Sequence, residues 1–160
     1  MTATAERTRQ RTRQRTRQRP AEGAVVPVSV LDQLRRSDEE LVAAQLATEP
    51  HDRFRHAHLA ALRAAAAVLP ATHGRRRSRP RPVWEQLAQA APELADWAEL
   101  FADGAVTRAA VEAGRTDGVT VERAERTLAA AEDFQDVVRR RWGLPLTFAG
   151  LGTAPVSRAG

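Results

Sequence analysis

DRFRHAHLAALRAAAAVL, residues 52–69, joins a strong helix signal to the only Arg/His cluster in the chain suited to chemistry. Phe54, His58, Ala61, Leu62, Ala65 and Leu69 recur at steps of three and four, which lines them up along one side of an α-helix. Much of that side is alanine, so a partner helix can approach closely. Thr48-Glu49-Pro50 opens this helix, with proline tolerated in the first turn, and Pro70 ends it.

The same period continues on both sides. Upstream, a helix is predicted from about Val30 to Ala47, with Ser29 as N-cap and Asp32 closing a capping box. Its expected inner face is Val30, Leu31, Leu34, Leu41 and Gln45. Downstream, Trp84, Leu87, Ala88 and Ala91 share one face after Pro82. Pro92 either kinks that helix or begins a new one. Leu94, Ala98, Phe101, Ala105 and Ala109 carry the stripe on to Ala113, and Gly114 stops it. Thr120 is expected to cap a last helix with a seam of Val121, Ala124, Leu128, Ala131, Gln135, Val138 and Trp142, closed by Gly143 and Pro145. No segment reads at the strand period of two. The expectation is an all-α antiparallel bundle of four to five helices spanning 28–142, between a tail at 1–27 and a flexible tail at 143–160.

Composition supports helices. Of 160 residues, 32 are alanine and seven are aromatic. Such thin side chains suit close-packed helices better than a sheet. The chain has no cysteine, which excludes disulfides and thiolate metal sites. No apolar run reaches the ~18 residues of a membrane span, and the N-terminus has no signal-peptide core, so the expected location is cytoplasmic. All 25 basic residues are arginine, which reads as the codon bias of a GC-rich genome.

The net charge of +5 invites a polyanion partner, and its distribution is uneven. Residues 1–22 hold seven arginines against two glutamates, whereas residues 23–160 hold 18 arginines against 18 acids. The excess lies in a repeat, Arg-Thr-Arg-Gln three times from Arg7 to Gln18, whose polarity predicts disorder. Two readings stand for it. One is a basic arm that neutralises phosphates. The other is a stretch upstream of the true start, which initiation at Val25, Val26 or Val28 would remove. A second basic segment lies in the 70–82 connection, where Arg75, Arg76, Arg77, Arg79 and Arg81 surround Ser78 and Pro80. It is either a phosphate clamp or a solvated loop balanced by acidic helices. No interleaved aromatics offer stacking to bases. Arg139, Arg140 and Arg141 read as last-turn cations that complement a helix dipole.

The second helix carries a family resemblance. A polar entry followed by His58-x-x-Ala61, then a run of Leu, Arg and Ala to Leu69, resembles HEPN domains. The Arg/Pro loop and the Val83–Leu87 start of the third helix look like an actinobacterial branch of them. The resemblance covers roughly Val28 to Trp142. It implies an all-helical bundle that often dimerises and often works around RNA. Some members are metal-independent endoribonucleases; others are inactive partners or ligand-binding modules.

The nuclease members carry Arg, four to six residues, then His, and Arg53 and His58 fit that spacing. A histidine near neutral pKa could take the proton of a ribose 2′-OH while an arginine stabilises the phosphorane. Against this, Phe54 stands where the family has a polar residue, and the pair lies earlier in the bundle than in the nucleases. Five residues of helix also leave the two side chains about 140° apart. The alternative is a silent His58 on the packing face, with Arg53 paired to Glu49 or Asp52. Metal binding has no support: His56 and His58 point apart on a helix, His51 and His73 lie at segment ends, and no His-Glu-x-x-His pattern exists. Asp52 and His56 read as a surface pair. No phosphate-loop motif marks a nucleotide-dependent enzyme, so no cofactor is expected.

These readings converge on a HEPN-like binding or assembly module, non-catalytic, RNA-associated and homodimeric. The alternatives are a toxin-type endoribonuclease using Arg53 and His58, with a cognate antitoxin as partner, and a nucleic-acid binder working through its basic tail.

Overall fold

Proline and glycine punctuate the chain into helices, and the computed structural model, which describes residues 25–70 and 81–146, follows that punctuation. Among the described residues five α-helices run in the order α1 (Val28–Leu46), α2 (Pro50–Val68), α3 (Val83–Ala90), α4 (Ala95–Glu112) and α5 (Val121–Arg141), with a 3-10 turn at Pro92–Leu94. Among the described residues there is no strand, and no helix is long and apolar enough to cross a membrane.

Helix ends are set by local chemistry. Pro50 sits in the first turn of α2, and Leu69, held extended by the following Pro70, ends it. Ala91 leaves helical geometry (φ −137°, ψ 77°) and Pro92 begins a new helix, so the chain breaks at this proline. Gly114 and Gly143 take positive φ (82° and 67°). Each closes a Schellman motif: Arg115 N–H donates to the Ala110 carbonyl, and Leu144 N–H to the Arg139 carbonyl, both within 2.9 Å. Thr120 Oγ1 accepts the Arg123 amide at 3.1 Å, the cap expected of it. The start of α1 differs from expectation. Pro27 occupies the N-cap and its carbonyl accepts from Val30 and Leu31, so Ser29 lies inside the first turn and caps nothing. Asp32, freed from a capping box, pairs with Arg35 and Arg36.

Cross-helix contacts fix the directions. Arg53 meets Glu125 near the starts of α2 and α5, and Trp142 Nε1 donates to the Ala67 carbonyl near their ends, so these helices run parallel. Ser37, Ala60 and Gln135 meet at mid-height, with α1 antiparallel to both. Helix α4 also runs against them, since Thr107 meets Arg123 while Trp97 meets Phe134. Helices α2 and α5 thus form a central pair, with α1 on one side and α3 and α4 on the other.

That placement explains the core. Neighbours surround α2 over a wide arc, so Phe54, Ala57, His58, Ala60, Ala61, Ala64, Ala65 and Ala67 are all buried, while Leu62 and Leu69 are only half-buried at its margin. Alanine lets its neighbours reach its backbone closely. On α1 the inner face is Val30, Leu34, Ser37, Leu41 and Ala44; Leu31 and Gln45 are exposed, and Gln45 instead donates to Glu132. On α4, Gly104 and Val111 are inside and Ala109 and Ala113 outside. On α5, Val121 is half exposed and Phe134 is fully buried. A polar chain crosses this core: Ser37 Oγ donates to the Ala60 carbonyl, Gln135 Nε2 to Ser37 Oγ, and Arg139 grips both oxygens of Asp38 at 2.7 and 2.9 Å.

Candidate functional site

Arg53 and His58 leave α2 toward different neighbours. The Arg53 guanidinium donates to the carbonyls of Ala44 (3.3 Å) and Ala47 (2.8 Å) and lies 3.6 Å from Glu125. Those carbonyls end α1, where helical C=O groups lack partners and carry partial negative charge. Arg53 therefore closes the α1–α2 hairpin, and its partners are neither Glu49 nor Asp52. Adjacent chain positions behave alike. His56 Nδ1 lies 2.7 Å from Glu40 of α1 and its Nε2 3.2 Å from Arg55, so the expected Asp52–His56 pair does not form.

His58 is 1% exposed. Its Nε2 donates to the Phe101 carbonyl of α4 at 2.7 Å, which fixes the proton on Nε2. Phe54 stacks on the ring, and Trp84 and Phe101 meet it edge-on. Beyond Phe101 the aromatic contacts continue to Trp97 and Phe134. Burial holds the His58 pKa below its ordinary 6.5; the hydrogen bond to the Phe101 carbonyl opposes that shift without reversing it. Nδ1, the unprotonated nitrogen, is buried without a hydrogen-bond partner. Gly104 makes the approach of α4 to the ring feasible: a Cβ there would lie 2.8 Å from His58 Cδ2 and 3.2 Å from Nε2.

The structure thus fits the HEPN resemblance in its fold, buries His58 in the core and turns Arg53 to the end of α1. A family model described as SAV_6107-like HEPN matches residues 44–139, which covers α2 to α4, the last turn of α1 and all but the end of α5. The chain belongs to this HEPN family. No curated protein and no solved structure matches it significantly. In this HEPN chain the matched segment contains the Arg53/His58 pair, the aromatic cluster and a cleft between α4 and α5.

That cleft, about 410 Å³, has Phe54 and His58 of α2, Leu100 and Asp103 of α4, and Arg123 and Arg126 of α5 in its walls. Sequence reasoning did not single out Arg123 and Arg126. Their signal was a basic i, i+3 pair beside the α5 seam, which looks like any solvated helix face. Of the loop arginines, Arg81 donates to Gln89, and Arg75, Arg76, Arg77 and Arg79 lie outside the described residues, as does the Arg7–Arg19 repeat. The last-turn cations do more than complement a dipole: Arg139 binds Asp38, and Arg141 binds Glu93. Among the described residues no three His, Asp or Glu side chains converge as a metal ligand set.

Proposed function

We propose that this HEPN chain is a non-catalytic binding or assembly module associated with RNA and acting as a homodimer. One observation carries the reading: both members of the Arg-x4-His pair are engaged in structural contacts. A general base must reach the proton it abstracts. His58 has its Nε2 committed to Phe101 and its ring enclosed by Phe54, Trp84 and Phe101. An arginine that stabilises a phosphorane must face the same substrate, whereas Arg53 is turned to the end of α1.

Support for RNA is electrostatic. The arginine-rich segments at 7–19 and 75–81 supply guanidiniums at a density that favours phosphate contact. Support for a dimer comes from the family and from the outer face of α4, where Val106 is 79% exposed beside exposed Ala102 and Ala109.

The test is an RNA cleavage assay in EDTA, with wild type, Arg53→Ala and His58→Ala compared on structured and unstructured RNA. The reading expects no cleavage that depends on His58, together with salt-sensitive RNA binding and a dimer by light scattering. Cleavage to 2′,3′-cyclic phosphate ends that both substitutions abolish, with helicity intact, would instead make the chain an endoribonuclease.

A further inference from the structure

Helices α4 and α5 touch at two levels and part between them. At one end Trp97 and Phe101 meet Phe134; at the other, Arg123 donates to Thr107 Oγ1 at 2.8 Å. The space between these closures is the cleft of about 410 Å³, with Phe54 and His58 of α2 among its walls. Clefts of roughly 300–1,000 Å³ with a few placed polar groups on apolar walls are the usual form of small-molecule sites.

The polar groups here are arranged asymmetrically. Arg123 and Arg126 stand one turn apart on α5, so their guanidiniums project from the same face. Neither lies within 4 Å of a described carboxylate. Arg123 is held in place, with its guanidinium carbon 5.3 Å from the Phe54 ring centroid. Thr127 donates to the Arg123 carbonyl, which leaves its oxygen free to accept. The α4 wall brings a carboxylate, Asp103. The wall residue His58, 1% exposed, keeps a nitrogen with no hydrogen-bond partner.

We propose that this cleft binds a small organic oxyanion. A flat apolar body lies against Leu100 and Ala130, and a phosphate or carboxylate is held by Arg123 and Arg126. Planar guanidiniums match both oxyanions in geometry. Asp103 repels an anion on the α4 side, so it directs the charged end toward α5, and it accepts from any N–H or O–H at the ligand's other end. The proposal stands whether or not the chain associates with RNA.

Calorimetric titration of the full chain with phenyl phosphate, benzoate and inorganic phosphate tests it. The expected result is saturable binding of phenyl phosphate or benzoate, with inorganic phosphate weaker because it lacks the apolar body. The better of the two organic probes assigns the anion as phosphate or carboxylate. Arg126→Gln, an exposed substitution that leaves the melting temperature unchanged, should weaken that binding about tenfold or more. Arg81→Gln, outside the cleft, should not. Absence of binding by both organic probes, equal binding of inorganic phosphate, or indifference to Arg126→Gln would each overturn the proposal. Displacement of phenyl phosphate by a saturating RNA oligonucleotide would overturn it too, by giving the cleft to an RNA backbone.

Discussion

At Gly104 and His58, two residues on different helices depend on each other. Alanine at 104 would gain about 1 kcal/mol in helix propensity. Its Cβ, however, would sit 2.8 Å from an imidazole that is fully enclosed and cannot move aside. Overpacking of this kind costs ~1–3 kcal/mol, so Gly104→Ala should destabilise on balance, read as a lower urea midpoint. A rise in the midpoint would mean that α4 shifts freely over His58. Arg53 invites a different expectation. Its charged hydrogen bonds to the end of α1 are partly shielded, with the side chain 25% exposed, whereas its partner Glu125 is open to solvent. Arg53→Ala should therefore cost about 1–2 kcal/mol through the lost carbonyl contacts. Glu125→Ala should cost far less, as exposed ion pairs do.

At the scale of elements, burial decides which seams matter. Phe134 of α5 is fully enclosed and touches Trp97 and Phe101, so Phe134→Ala should cost ~3–5 kcal/mol. Leu62, on the margin of α2, should cost about 1 kcal/mol by the same change. Chemical denaturation of the two variants separates them. The order of these costs was not legible in the sequence, because periodicity gives a direction and not the number of neighbours. Residues 52–69 read correctly as a helix with Phe54 and His58 inside. Its buried arc proved wider than one stripe, because α2 packs against α1, α3, α4 and α5. Caps were legible where side chains or glycine make them, at Thr120, Gly114 and Gly143. Pro27 was missed because its carbonyl, not its side chain, starts α1. The cleft was not legible at all. It exists because α4 and α5 part between two points of contact, and such a gap is a tertiary property that leaves no mark on either helix's pattern.

Across the whole molecule, charge and fold are separable. Residues 23–160 are balanced between arginine and acid, and the excess belongs to residues 1–22. Deleting residues 1–22 should flatten the dependence of RNA affinity on salt, since each phosphate neutralised on a single strand contributes roughly −0.7 to the log–log slope. Filter binding at several salt concentrations measures it. An unchanged slope would assign the contact elsewhere, with Arg75, Arg76, Arg77, Arg79 and Arg81 the next arginines to replace.

The state of the buried His58 decides whether it is a core residue or a base, and its titration by ¹⁵N NMR is the most direct measurement. Burial disfavours the imidazolium, so the folded ring should hold the Nε2–H tautomer and titrate below the ordinary 6.5. The unfolded chain takes up that proton first as pH falls. Stability from this group is therefore complete above about pH 6.5 and is lost as pH drops through and below it, and His58→Gln should remove that slope. The account predicts a depressed titration tied to this loss. A ring that titrates at 6.5 with no link to stability, or above it with stability gained as pH falls, would contradict it, and would return His58 to the role of an accessible base.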